Sequence, residues 1–180
     1  MLFRSGFVAA LPDITTSDAL LWPISRDPDF RLVRVCKEDE GVAICTGLAF
    51  AGRRSVLLMQ QTGLLDSINA IRAVAVEYEQ PVVMLVGLQG KEPGIEPAAS
   101  SKFAVNIVPP ILDAICLPHL WLESSGDEEN IAPAIEVLIS VNAGRRFGPI
   151  VRPVSSRSTI REVPGRADAR GRPRCFRRTR

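Results

Sequence analysis

Residues 35–69 read V-C-K-E-D-E-G-V-A-I-C-T-G-L-A-F-A-G-R-R-S-V-L-L-M-Q-Q-T-G-L-L-D-S-I-N. An apolar strand ends near Cys36. From Glu38 the positions Val42, Cys45, Leu48, Ala49 and Gly52 follow helical spacing. Glu38, Asp39 and Glu40 suit the positive N-terminus of that helix, and Gly52-Arg53-Arg54 provides a glycine and cations at its end. Ser55-Val-Leu-Leu-Met59 is apolar after its first residue, as a strand covered on both faces is. A glycine-containing turn, Gln60-Gln61-Thr62-Gly63, then opens another helix. Two strand-to-helix junctions of a parallel sheet thus lie close together, and such sheets place ligand sites at the carboxyl ends of their strands. Glu38 at the first junction and Gln60 to Gly63 at the second mark where chemistry is expected.

The flanking sequence fits the same architecture. Gly6–Leu11 reads as a buried strand closed by Pro12-Asp13, and Thr16 or Ser17 as the cap of a helix over about 18–24 that Pro23 shortens. Arg31–Cys36 is the next strand. Ser67 caps a helix to about Glu79, and Val82–Val86 is a further buried strand. Gly87–Ser101 is a glycine- and proline-containing loop of a length that is usually functional or mobile. Pro109-Pro110 starts a helix over about 110–116, His119–Leu122 is a short strand, and 127–140 is helical. Strands alternating with helices predict right-handed crossovers and an α/β three-layer sandwich around a mostly parallel sheet. The expected domain covers residues 1–142. Residues 143–180 lack periodicity, although Phe147–Val154 can supply one last edge strand.

Charge divides the chain at the same place. Residues 144–180 hold 12 arginines and two acids, for a net +10, against −8 for residues 1–143. Three readings fit the basic segment: the product of a shifted reading frame in arginine-rich coding sequence, an extension contacting anionic partners, and solvated disorder. Arginine with no interleaved aromatic beyond Phe176 favours nonspecific phosphate contact over base reading, so nucleic acid is not the expected partner. No apolar run approaches the ~18 residues of a membrane span, and Gly6–Leu11 is too brief for a secretory signal. A cytoplasmic protein is expected, with no membrane partner. Cys36, Cys45, Cys116 and Cys175 show no paired spacing, and with a single histidine no zinc or other metal site is expected. Reduced structural thiols are the simpler reading.

The sequence contains no G-x-G-x-x-G after a strand, no G-x-x-x-x-G-K-[ST] and no G-x-S-x-G. His119, between Leu117-Pro118 and Leu120-Trp121, reads as a satisfied strand-end residue. What remains is a carboxylate at a strand end. Glu38 can exchange a proton with a bound cofactor, or it can be a helix N-terminal acid serving only electrostatics.

The two-part motif K-E-D-E-G-V-A-I-C-T-G-L followed by L-L-M-Q-Q-T-G-L-L-D-S-I-N resembles the pyrimidine-binding domain of thiamine diphosphate enzymes. Within that family it is most similar to the sulfopyruvate decarboxylase α subunit and the matching part of phosphonopyruvate decarboxylase, over about residues 7–140. The resemblance implies a lyase acting on 2-oxo acids, with one glutamate bonded to a ring nitrogen of the cofactor's aminopyrimidine. Spacing to Gly47 places that role on Glu38, leaving Asp39 and Glu40 solvated or structural. It implies cofactor-lining roles for Gln61, Thr62, Gly63 and Leu64, and substrate-side positions for Asp13, Gln60 and Lys91, with Lys102 a further loop cation.

The chain also departs from the family pattern. Thr-Gly-Leu-Leu-Asp66 stands where Ser-Gly-Leu-Gly-Asn is common, Lys91 is inserted in the substrate-side loop, and the helix before the first strand is reduced to Leu2–Ser5. Ser125-Gly126-Asp127 is followed by Glu128, which is not the Gly-Asp-Gly motif that holds Mg²⁺ and diphosphate. A separate beta subunit is therefore expected to carry the metal half, in a homo- or hetero-oligomer inactive without it. The competing reading is a catalytically inactive α/β scaffold or regulatory module whose arginine-rich tail contacts anionic partners.

Overall fold

Four apolar strands supply the frame: β1 (Gly6–Ala10), β2 (Phe30–Arg34), β3 (Ser55–Gln60) and β4 (Val83–Gly87). The structure, a computed structural model, describes residues 6–122 and 150–151. Two short strands, β5 (His119–Leu120) and β6 (Ile150–Val151), complete a sheet of order β2-β1-β3-β4-β6-β5 in which every pair is parallel. The stretch expected to give an edge strand therefore contributes an interior one, since Ile150–Val151 pairs with β4 on one side and β5 on the other.

The two-residue alternation of a strand sorts the side chains into two cores. Ala9, Leu57, Met59, Met84 and Val86 point to one face. They pack there with Val42 and Cys45 of α2 (Glu38–Phe50), Leu64 of α3 (Gln61–Asp66) and Ile71 and Ala75 of the following helix. Val105, from α5 (Phe103–Asn106), and Val108 and Leu112, from α6 (Val108–Ala114), join the same core. Val8, Ala10 and Leu58 point the other way, onto Leu20, Leu21 and Ile24 of α1, which runs from a π-turn (Ser17–Leu21) into Trp22–Arg26. The expected α/β architecture with helices on both faces is what forms. The connection from β1 out to β2 carries its helix on one face, while those from β2 to β3 and from β3 to β4 run the opposite way and use the other. That division keeps one handedness throughout.

Several boundaries differ from the sequence reading. Thr16 makes no side-chain cap; Asp13 instead ties down the turn just ahead of α1, accepting from the N–H groups of Thr15 and Thr16. Pro23 does not end α1: the π-helical segment closes with the Trp22 N–H on Ser17 O, and the proline follows at the start of Trp22–Arg26. Gln61 to Gly63 are not a turn but the first residues of α3, which begins directly after β3. Ser67 marks a break, after which α4 (Ile68–Ala70) continues into a π-helical segment, Ile71–Val76. The helix α5 was not anticipated; Pro109-Pro110 stand in the first turn of α6, the helix they were expected to start. The helix expected over 127–140, Leu2–Ser5 and all of the arginine-rich segment except β6 lie outside the described residues. No helix among the described residues is long and apolar enough to cross a membrane.

Candidate active site

Strand order reverses between β1 and β3: the chain leaves β1 for β2 on one side and returns past it to β3 on the other. Connections diverge from such a point and leave a crevice at the carboxyl ends of the strands. The segments after β1, β2, β3 and β4 meet there, and they carry every residue singled out above except Lys102.

Glu38 is the first residue of α2 and is half-buried. The helix approaches the sheet closely because Gly41 has no side chain; a methyl there would overlap Leu57 Cδ1. Across from it, Gly63 in α3 is the decisive contact. A Cβ built on Gly63 would fall on Oε1, Cδ and Cγ of Glu38, so the glycine leaves the space that the carboxylate occupies. The structure thus brings together Glu38 and Gly63, one residue from each half of the sequence motif.

The three acids at the head of α2 are no longer equivalent. Glu40 Oε2 accepts a hydrogen bond from the Cys36 N–H at 2.9 Å, tying down the chain before the helix in the manner of a capping-box glutamate. Asp39 accepts from its neighbour's N–H at 2.9 Å and pairs with Lys37 at 3.4 Å. Glu38 has no hydrogen bond or ion pair among the described residues. Lys37 also reaches Asp66 at 2.8 Å, and these acidic partners raise its pKa. The Asp66 departure therefore joins the end of α3 to the head of α2.

The other expected residues divide between the site and the scaffold. Gln60, at the end of β3, accepts a hydrogen bond from Thr15 Oγ1 at 3.3 Å, and Thr62 is exposed. Gln61 is buried with both ends of its amide engaged: Oε1 accepts from Gln89 N–H at 2.7 Å and Nε2 donates to Gln89 O at 3.0 Å. Leu64 is fully buried in the core and offers no surface to a ligand, because α3 starts early enough to turn it inward. Asp13, expected on the substrate side, uses both carboxylate oxygens within its own turn. Oδ1 accepts from the N–H groups of Thr15 and Thr16, and Oδ2 from Thr16 Oγ1, each at 2.6 Å. Lys91 is half-buried in the loop after β4, its N–H donating to Leu88 O at 3.3 Å.

Sequence reasoning missed Glu92. Its carboxylate accepts from Ser100 Oγ at 2.5 Å, Ser101 Oγ at 2.5 Å and Ser101 N–H at 3.1 Å, closing the loop across its base. Those hydrogen bonds, first of all the Ser100 hydroxyl, lower its pKa to about 2. The signal available was the Ser100-Ser101 pair, whose donors suit a carboxylate, but nothing in the sequence says which acid folds back onto them.

Outside the crevice, His119 is buried as expected, Nδ1 lying 3.1 Å from Leu117 O and the ring edge-on to Trp121. Cys36 and Cys45 are free, and burial pushes the Cys45 thiol up to about 11, which leaves it inert. Cys116 is disulfide-bonded, a correction to the reading of uniformly reduced thiols. Among the described residues no group of three or more His, Cys, Asp or Glu side chains can hold a metal ion.

With Glu38 set against Gly63 at a strand-end crevice, the comparisons with known proteins acquire a structural meaning. The sulfopyruvate decarboxylase subunit alpha of Methanococcus maripaludis is 34% identical over 84 residues, which are 47% of this chain and 50% of that protein. Over that segment, the chain resembles sulfopyruvate decarboxylase alpha subunits. The subunit from Methanothermobacter thermautotrophicus is 30% identical over 86 residues, 48% of this chain and 52% of that one. The chain therefore spans about half the length of the curated relatives it matches. No family model matches. Among solved structures, a 2-oxoglutarate:ferredoxin oxidoreductase from Magnetococcus marinus superposes with a TM-score of 0.53 at 15% identity. The match covers 85% of this chain and 27% of that one, a likeness of fold. The resemblance drawn from the motif and the α/β fold expected with it both stand.

Proposed function

We propose that the chain is the pyrimidine-binding subunit of a thiamine diphosphate-dependent 2-oxo acid decarboxylase, with Glu38 as its catalytic carboxylate. One observation carries this reading: of three adjacent acids, the one whose side chain has no hydrogen bond or ion pair among the described residues is the one lodged against a glycine of the next strand-end helix. A carboxylate in that position is available to a ligand, whereas Asp39 and Glu40 are committed to the fold. The similarity to named decarboxylase alpha subunits supports the same reaction class and favours a substrate of the sulfopyruvate type.

The residues present fit half of the cofactor. Glu38 offers a carboxylate oxygen to hold and return a proton at a pyrimidine ring nitrogen, and Gly63 keeps the space beside it clear. Thr62 is exposed in the first turn of α3 and Gln60 closes β3 beside it, whereas Lys91, in the loop after β4, has its ammonium nitrogen shut off from solvent. Thiamine diphosphate supplies the electron sink for decarboxylation. The diphosphate and Mg²⁺ need ligands that the described residues do not group together, and a beta subunit carrying them is the proposed partner. An outer face of α2 without charge from Gly41 to Gly52, exposing Ala43, Gly47 and Phe50, supports a covering partner. Without that partner the chain should not turn over substrate.

The test is reconstitution with the metal-half subunit, followed by assay of sulfopyruvate and related 2-oxo acids with thiamine diphosphate and Mg²⁺. Glu38→Gln should reduce kcat by roughly 10²- to 10⁴-fold, the range for a lost general acid–base group. Turnover unaffected by that substitution, or a wild-type pair that binds no cofactor, refutes the proposal.

A further inference from the structure

Gln61 and Glu92 have polar groups fully engaged by one segment, the loop that follows β4. Gln61 stands in the first turn of α3, two residues before the glycine that receives Glu38, and holds both the N–H and the carbonyl of Gln89. A buried amide making a two-point bond to backbone fixes the position and the orientation of that peptide. Glu92, three residues on, reaches over the loop to Ser100 and Ser101. The far side is secured in turn: Ser100 Oγ accepts from Lys102 N–H at 3.1 Å, and Ser100 O accepts from Asn106 Nδ2 at 3.0 Å. The stretch that looked mobile from its glycines and prolines is therefore pinned at its start, across its middle and at its end. Lys91 lies between the two anchors with its ammonium nitrogen enclosed by the protein, so the clamp fixes the loop backbone rather than an exposed cation.

We infer that Gln61 and Glu92 are positioning residues, which hold the loop 88–101 as a preformed wall of the crevice on the side where an anionic 2-oxo acid would bind. This rests on the decarboxylase reading for its substrate, although the clamp itself is a property of the chain alone. Gln61 thereby acts on substrate through the loop, rather than as a cofactor ligand. Its link to the start of α3 also connects the wall to the helix that abuts Glu38, so that cofactor side and substrate side share one rigid turn.

Two measurements on the full chain test the inference. Hydrogen exchange followed by mass spectrometry needs neither cofactor nor turnover. In Glu92→Gln and Gln61→Ala, amides of residues 90–101 should exchange at least about tenfold faster, with those of α2 unchanged. In the reconstituted pair, Glu92→Gln should raise KM for the 2-oxo acid roughly 5- to 20-fold with kcat within about twofold and cofactor affinity retained. Gln61→Glu keeps the acceptor and loses the donor, and should fall between wild type and Gln61→Ala. Loop exchange indifferent to both substitutions overturns the clamp. A KM left unchanged, or kcat and stability falling together, overturns the positioning role. An inactive wild-type pair refutes the decarboxylase reading, and the exchange data still decide whether the loop is clamped.

Discussion

Gly63 is buried and helical, conditions under which alanine would ordinarily serve better by about 1 kcal/mol. The glycine is explained by the neighbour it admits, since the atoms in its way belong to Glu38 and not to the backbone. That distinction sets the outcome of Gly63→Ala. The Glu38 side chain is half-exposed and can swing away, so the added methyl costs little in folding and the helix gains back part of that cost. The carboxylate is nevertheless displaced from its place. Stability of the isolated chain should thus change by no more than about 1 kcal/mol, while turnover of the reconstituted pair falls by roughly 10²-fold or more, approaching Glu38→Gln. Denaturant unfolding and kcat measured on the same preparation check both halves. An active Gly63→Ala, with unfolding as in wild type, would mean that the contact does not locate the catalytic group.

At the scale of elements, legibility followed the range of the forces involved. The helix α2, the strands β3 and β4 and the parallel sheet could be read because apolar spacing is a local signal and recurs. The junction containing Glu38 was legible for the same reason. The loop between β4 and α5 was not, because its order depends on one carboxylate finding two serines eight and nine residues away. The side-chain cap expected of Thr16 or Ser17 does not form, because Asp13 engages the N–H groups of the preceding turn, and only geometry separates neighbours of such similar chemistry. The loop also has a pH signature. Glu92 has a folded pKa near 2, below the ordinary 4.5, so folding favours its ionised form. Its contribution is complete above about pH 4.5 and is lost as pH falls toward 2. No charged group is among the causes, only hydroxyl and amide donors, so the effect should persist in salt. Urea midpoints for wild type and Glu92→Gln should therefore differ most at pH 5 and converge by about pH 2. A difference that stays constant over that range would place the carboxylate's stabilisation elsewhere.

For the whole molecule, the question is why a helix so free of charge should face outward. Twelve residues from Gly41 to Gly52 carry no ionisable group except the buried Cys45 thiol. The inward side, Val42 and Cys45, is accounted for by the core, but Ala43, Gly47, Phe50 and Ala51 are exposed. Gly47 is the informative one, because a Cβ there would meet nothing within 4 Å. No contact among the described residues requires a glycine, and in the middle of a helix it sacrifices about 1 kcal/mol relative to alanine. A smooth, uncharged surface with a backbone open to close approach fits a second polypeptide better than water. It lies on the same helix as Glu38, so a subunit seated there would also close over the strand-end crevice. Gly47→Leu separates folding from assembly. The isolated chain should become more stable by about 0.5–1 kcal/mol, since leucine is the better helix former and the space is empty. Affinity for the metal-half subunit should fall at least about tenfold, about 1.4 kcal/mol, as the added side chain holds the surfaces apart. Thermal unfolding of the chain alone and a titration of partner against recovered activity give the two numbers. Assembly as tight as wild type, in a chain stabilised as expected, would move the partner to another face and leave the exposed apolar side of α2 without a role in the complex.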